Sequence, residues 1–269
     1  MSARDRWAAF LKQIETRHEE IVREAFEGAK EAFPEMGFDT SPIAVALGAV
    51  RLRLLDLESR IADTWNQKVD DTFEAEGLSH EERTRARETG EALKRKLERQ
   101  RERLEPHAFA YAAHEIHQRA LAARKDVNCA RCGAPLSPPI AYRAIEVRCG
   151  SCSAVGVFEP GDLMRQAEAT GAHAIAWVAA EPEWMAMTDA EEAVRQQRSP
   201  CALAYLQAYE DAQIRYWSKY FQAKAQMVPE IAADIERNVR SRLEFWYTYS
   251  ADHEQAWVQA GRPRRLPPP

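Results

Sequence analysis

Residues 7 to 33 read WAAFLKQIETRHEEIVREAFEGAKEAF. Within this stretch Trp7, Phe10, Leu11, Ile14, His18, Ile21, Val22, Ala25, Phe26, Ala29 and Phe33 recur every three or four residues, with charged side chains between them. That period places the apolar residues on one face of an amphipathic helix. Pro34 follows, and proline cannot continue the helical hydrogen-bond ladder, so the helix is expected to stop there. A chain that begins in this way buries its apolar surface by laying one helix against others, and the sequence on either side is read for those partners.

Ser41 and Pro42 combine an oxygen-bearing cap with proline at the first helical position, the start signal of a second helix. Its face runs Ile43, Leu47, Val50, Leu54, Leu57, Ile61, Trp65, Val69 and Phe73, and between Leu47 and Ile61 the steps alternate as in coiled-coil packing. Gly77 ends it. Ser79, with Glu82 three residues on, forms a capping box for a third helix. That helix carries Gly90, Leu93, Leu97, Gln100, Leu104, His107, Tyr111 and His114 on one face, and beyond Pro106 a second stripe of Phe109, Ala113, Ile116 and Ala120. Unbroken to Asp126 it would reach about 70 Å, against roughly 45 Å for the first helix. It must therefore kink near Pro106 or project past its neighbours.

Downstream, Asp162 to Ala180 reads as an alanine-rich helix, with Ile175 to Val178 open to a strand reading. Pro182 interrupts it, Thr188 with Glu191 makes another capping box, and Ser199 with Pro200 restarts the chain. The helix from Ala202 to Met227 bears Leu203, Leu206, Ile214, Trp217 and Phe221 on one face and Tyr205, Tyr209, Tyr216 and Tyr220 on a second. A helix apolar on two faces must cover both, so the four tyrosines are candidate contacts for a protein partner or for self-association. Pro229 opens the last helix, in which Ile231, Ile235, Val239, Arg242, Trp246 and Tyr249 are in phase. Gly261 closes it, and the tail 262–269 is expected to be disordered.

The chain has 269 residues, 45% of them hydrophobic and 29% charged, which excludes a wholly disordered protein. No run approaches the length of apolar residues that a membrane span requires, and the first residues show no secretory pattern; a cytoplasmic location is expected. In a reducing compartment, two Cys-x-x-Cys pairs argue for metal and against disulfides. Cys201, apart from these pairs, reads as a packed thiol. The formal net charge of -5 gives the whole molecule no general attraction for nucleic acid.

The pairs are Cys129-Ala130-Arg131-Cys132, followed by Gly133, and Cys149-Gly150-Ser151-Cys152, with sixteen residues between Cys132 and Cys149. Four thiolates at this spacing suit one zinc ion in a closed tetrahedron, and the glycines suit a tight knuckle whose amides point at the sulfurs. On each side of the second knuckle the residues from Ala141 to Val147 and from Ala154 to Phe158 alternate as in a short hairpin. The stretch from Asn128 to Phe158 resembles a zinc ribbon, which implies two knuckles, a small sheet and a structural metal. Rubredoxin-like iron is the rival metal, but the aromatic residues and knuckle proline usual there are missing. Thioredoxin-like redox chemistry needs a strand-to-helix setting that two paired knuckles do not supply.

Two further groups bear on function. Lys94, Arg95, Lys96, Arg99, Arg101 and Arg103 form a basic run that could track phosphates, aided by Arg131, Arg143 and Arg148, or could be a solvated face laced with Glu91, Glu98 and Glu102. His107, His114 and His117 share one helix with Glu115. They lack the glutamate three residues before a histidine that carboxylate bundles use, and they do not spell His-Glu-x-x-His. No phosphate loop, nucleotide fingerprint or nucleophile elbow is present.

The sequence therefore predicts a mainly α protein, a long-helix bundle or hairpins with an inserted small β zinc ribbon. Its expected parts are an N-terminal helical domain (1–127), the ribbon (128–160), a C-terminal helical domain (161–261) and the tail. The leading expectation is a non-catalytic interaction or scaffold protein holding one structural zinc. A nucleic-acid-binding regulator is the alternative, and a metal-dependent enzyme using the helix histidines comes third.

Overall fold

The structure is a computed structural model and describes residues 1–123, 126–197 and 201–249. It is mainly helical, with two small antiparallel strand pairs. Two compact units emerge, Met1–Ala112 and Ala113–Pro269, and the boundary falls inside a helix. Ser199, Pro200, Gly261 and the tail 262–269 lie outside the described residues.

In the first unit, α1 (Ala3–Glu35) opens on a capping box in which Ser2 and Asp5 satisfy each other's backbone N–H groups. It runs through Pro34 to Glu35, one residue further than the sequence suggests. Proline in the last turn blocks only continuation, and the chain leaves through Gly37 and Phe38, both at positive φ. The Phe38 N–H donates to the Phe33 carbonyl at 2.8 Å, closing the helix end. α2 (Ser41–Thr64) passes through a π-helical turn (Trp65–Val69) into α3 (Asp70–Ala75). Gly77, at φ 77°, ends it as expected, and the Ser79–Glu82 box that starts α4 (His80–Ala122) is present.

Three layers fix how these helices run. Trp7 of α1 meets Trp65, and its indole N–H donates to the Ala86 carbonyl at 3.0 Å. His18 meets Glu58, which holds Arg101. Phe33 meets Phe109. Rising numbers in α1 thus pair with falling numbers in α2 and rising numbers in α4, so α2 is antiparallel to the other two. Phe33, Leu54, Phe73 and Leu97 fill the core between them. α4 stays one helix through Pro106, which withholds a single N–H from the ladder.

The second unit takes the end of α4, the strands and the later helices. β1 (Val127–Asn128) pairs with β2 (Pro135–Leu136), and β3 (Ile145–Arg148) pairs with β4 (Val155–Phe158). The second pair is the expected hairpin. The first was not foreseen, because two-residue strands carry no alternation to read. Then come α5 (Asp162–Ala179), α6 (Glu181–Arg195), α7 (Leu203–Ala225), a 3-10 turn (Pro229–Asp234) and α8 (Ile235–Tyr249). Ile175 to Val178 are helical. The break falls at Ala180, and Pro182 occupies the first turn of α6, where its missing N–H costs nothing. The Thr188–Glu191 capping box does not form, because α6 continues through it and the Thr188 hydroxyl donates to the Met185 carbonyl at 2.8 Å.

α7 packs against α5, α6 and α8, so more than one of its faces is covered from within the unit. Trp177 and Trp184 join Tyr216, Tyr220, Phe221, Val239 and Leu243 in one cluster, while Tyr209 packs with Val194 and Leu206 in another.

Candidate metal centre

The two knuckles are built alike. In the first, the Cys129 N–H donates to the Ala134 carbonyl and the Gly133 N–H to the Cys129 carbonyl, both at 2.8 Å. In the second, the Cys149 N–H donates to the Ala154 carbonyl at 2.8 Å and the Ser153 N–H to the Cys149 carbonyl at 2.9 Å. Each loop folds back on itself and presents two sulfurs on one side. The residue after the second cysteine bears the strain: Gly133 has φ 73° and Ser153 has φ 57°. The expectation that both knuckle glycines serve this purpose holds for Gly133 and fails for Gly150, which is not at positive φ.

Paired in this way, the four Sγ atoms of Cys129, Cys132, Cys149 and Cys152 lie within 4.8 Å of one another. Cys129 and Cys152 are 3.7 Å apart, as are Cys132 and Cys149. A tetrahedron with metal–sulfur bonds of ~2.3 Å has edges of about 3.8 Å, so the cluster has the size of a four-sulfur metal site. Among the described residues it is the one group of three or more such donors that converges.

The electrostatics of the thiols point the same way. Backbone N–H groups of Cys132 and Arg131 lower the pKa of Cys129, and those of Cys152 and Ser151 bring Cys149 down to about 6. The Ala154 N–H favours the Cys152 thiolate too, but the Cys132 sulfur, burial and the other two thiols push that group up to about 12. Crowding by the neighbouring sulfurs thus opposes ionisation of Cys152. A dication removes the crowding while leaving the amide hydrogen bonds in place.

The loop joining the knuckles is tied to the helices of its own unit. The Tyr142 hydroxyl hydrogen-bonds His117 Nδ1 of α4 at 3.2 Å, and its ring packs beside Ala172, Met227 and Val228. Arg143 donates to Glu168 of α5 at 2.8 and 2.5 Å and to Glu230 of the 3-10 turn at 3.2 Å. Neither anchor was legible beforehand, since each partner lies far away in sequence. The sequence allows Arg143 to aid a phosphate-tracking run, and the structure gives it two carboxylates instead.

The other candidate residues fare differently. Arg101 is buried, and its Nε donates to both Glu58 oxygens at 2.9 and 3.1 Å, so it is withdrawn from any phosphate surface. Lys96 bonds Glu15 at 2.6 Å and Glu19 at 3.3 Å, and Lys94 lies 3.8 Å from Glu98. Arg95 and Arg99 are part-buried, and Arg103 is exposed. Tyr209, Tyr216 and Tyr220 are buried within their own unit, which removes the reason for covering them with a partner; only Tyr205, 40% exposed, faces solvent. Burial raises the pKa of Tyr216, in keeping with that position. His114 is exposed, His117 is taken by Tyr142, and burial together with His114 lowers the His117 pKa. No third donor joins the helix histidines among the described residues.

The His18–Glu58–Arg101 cluster went unseen. Its signal is a glutamate on the buried face of α2, one turn from Leu54 and Ile61, which requires a cationic partner from another helix.

No family model, curated protein or solved structure matches the chain. No helix among the described residues is long and apolar enough to cross a membrane.

Proposed function

We propose that the protein is a zinc-binding, non-catalytic interaction or scaffold protein, with the ribbon 128–160 a rigid module between the helical parts 1–127 and 161–261. The observation that carries the reading is the closed set of four cysteine sulfurs at tetrahedral spacing. Zinc takes four thiolates without redox cost or geometric demand, and a site with four protein donors leaves no position for a substrate. Cys129, Cys132, Cys149 and Cys152 would hold the ion, and its chemistry there is to cross-link two knuckles.

The anchors at Tyr142 and Arg143 support a clamp, because a loop held at both ends by metal can brace the helices it touches. Exposed apolar side chains support docking: Val155 and Val157 on β4, Ile140 in the loop between the knuckles, and Val45 and Leu52 on α2. A cytoplasmic setting suits four reduced thiols.

The test is the Cys149→Ser variant. It should lose the metal and the protection of the ribbon amides from hydrogen exchange, while helix content by circular dichroism stays close to wild type. An unchanged ribbon in that variant would refute the structural role of the ion.

A further inference from the structure

The hairpin of β3 and β4 has two outer edges, and they differ in chemistry. Arg148 stands opposite Val155, and one step further the Cys149 N–H bonds the Ala154 carbonyl at 2.8 Å. Bonded pairs alternate along an antiparallel ladder, so Val147 with Gly156 and Ile145 with Phe158 exchange the ladder bonds. The backbone N–H and C=O groups of Glu146 and Arg148 therefore point outward from β3, and those of Val155 and Val157 point outward from β4. Among the described residues, no other group bonds the backbone of these two valines. A carboxylate and a guanidinium thus guard the β3 edge, whereas β4 offers β-branched residues that favour a further strand. Val155, Gly156 and Val157 are exposed in succession, so both faces of β4 are uncovered there. The valines themselves are 53% and 67% exposed.

This edge is matched by itself. Val155-Gly156-Val157 reads the same in either direction, so an antiparallel copy about a two-fold axis at Gly156 sets Val155 against Val157 of the second copy in both rows. These are the residues with outward backbone groups, and each such pair exchanges both of its hydrogen bonds. The valines then join into one apolar patch across the axis. Charge selects the same direction. Each row of the combined sheet begins with Arg148 of one copy and ends with Glu146 of the other, whereas an in-register parallel copy sets like against like. Gly156 meets its own counterpart at the axis, and nothing lies within 4 Å of its Cβ position to obstruct the approach. The guarded β3 edges end the sheet, so association closes at two copies.

We infer that β4 pairs antiparallel with β4 of a second copy of this chain, joining two ribbons into one sheet centred on Gly156. The inference rests on the reading of the chain as an interaction protein and names the partner of its ribbon. The two fail separately, because zinc content and ribbon folding are measured apart from assembly.

The experiment is analytical ultracentrifugation of the full-length protein over a range of concentrations. A monomer–dimer equilibrium is expected, with the Val155 and Val157 amides protected from hydrogen exchange only where the dimer is populated. Combining Val155→Lys with Val157→Lys sets like charges directly opposite each other and should raise the dissociation constant about tenfold or more. Combining Val155→Lys with Val157→Glu sets opposite charges in each row and should restore dimerisation. Val157→Pro removes an outward donor without touching the ladder to β3, and it should weaken the dimer as well. The substituted side chains are exposed and hold no metal, so circular dichroism and zinc content should match wild type in all three variants. A monomer at every concentration, a dimer indifferent to the paired lysines, or a lysine–glutamate variant no tighter than the double lysine one would overturn the inference. So would a monomeric protein that binds a valine-rich extended peptide at β4, which would give the edge to a different protein.

Discussion

Gly171 of α5 lies against Ala113 of α4 so closely that a Cβ built on the glycine falls 2.1 Å from the alanine Cβ. No pair of non-bonded carbon atoms tolerates that separation, so the two helices meet here only because position 171 carries no side chain. Gly171→Ala should force them apart and cost about 1–3 kcal/mol, the usual range for overpacking. Denaturant unfolding measures it. Gly28→Ala, on α1 with open space around its Cβ position, is the control and should be neutral or mildly stabilising.

The knuckles predict a contrast among three small residues. Gly133→Ala places a side chain at φ 73° and should lose about 1–2 kcal/mol from the metal-bound ribbon. Gly150→Ala should be tolerated, as its Cβ meets nothing within 4 Å and its φ is ordinary. Ser153→Gly relieves a strained residue and should strengthen metal retention by a few tenths of a kcal/mol or more. Competition with a chromogenic chelator ranks the three.

Arg101 separates the scaffold reading from the nucleic-acid one. Its guanidinium neutralises Glu58 in a buried cluster that also holds His18, so Arg101→Gln strands a carboxylate in the core. A loss of about 3–5 kcal/mol is expected for such a broken buried pair. Thermal unfolding should reveal it at any salt concentration. A phosphate-contacting arginine would leave stability unchanged and reduce only the salt dependence of nucleic-acid binding.

These cases show why some of the architecture could be read from the chain and some could not. The α1 face from Trp7 to Phe33, the Ser79–Glu82 box and the four cysteines are local patterns, each complete within a few turns. Thr188 and Glu191 satisfy the capping-box pattern equally well, yet α6 runs through them, because Pro182 already gave that helix its first turn. The tyrosines of α7 looked surplus only while α5, α6 and α8 had no known placement. Anchors such as Tyr142–His117 and Arg143–Glu230 join residues that the sequence keeps apart, and no local spacing announces them.

Acid should release the metal. Thiolate ligands are favoured in the folded, metal-bound state, so the stability they contribute is present at higher pH and is lost as protons compete for them. With Cys149 already lowered to about 6 by its amide donors, release should begin between about pH 6 and 4. At pH 7 the metal-free protein should give up about two to three protons per ion bound, readable by calorimetry in buffers of different ionisation enthalpy. Uptake with no proton release would mean that the thiols are not the ligands.

The central claim is that one zinc ion joins Cys129, Cys132, Cys149 and Cys152. Elemental analysis of the purified full-length protein, combined with X-ray absorption at the zinc edge, tests it most directly. The expected result is one zinc per chain with a shell of four sulfur atoms at ~2.3 Å. Iron in its place, a shell containing nitrogen or oxygen, or a folded metal-free protein with four freely reactive thiols would contradict it.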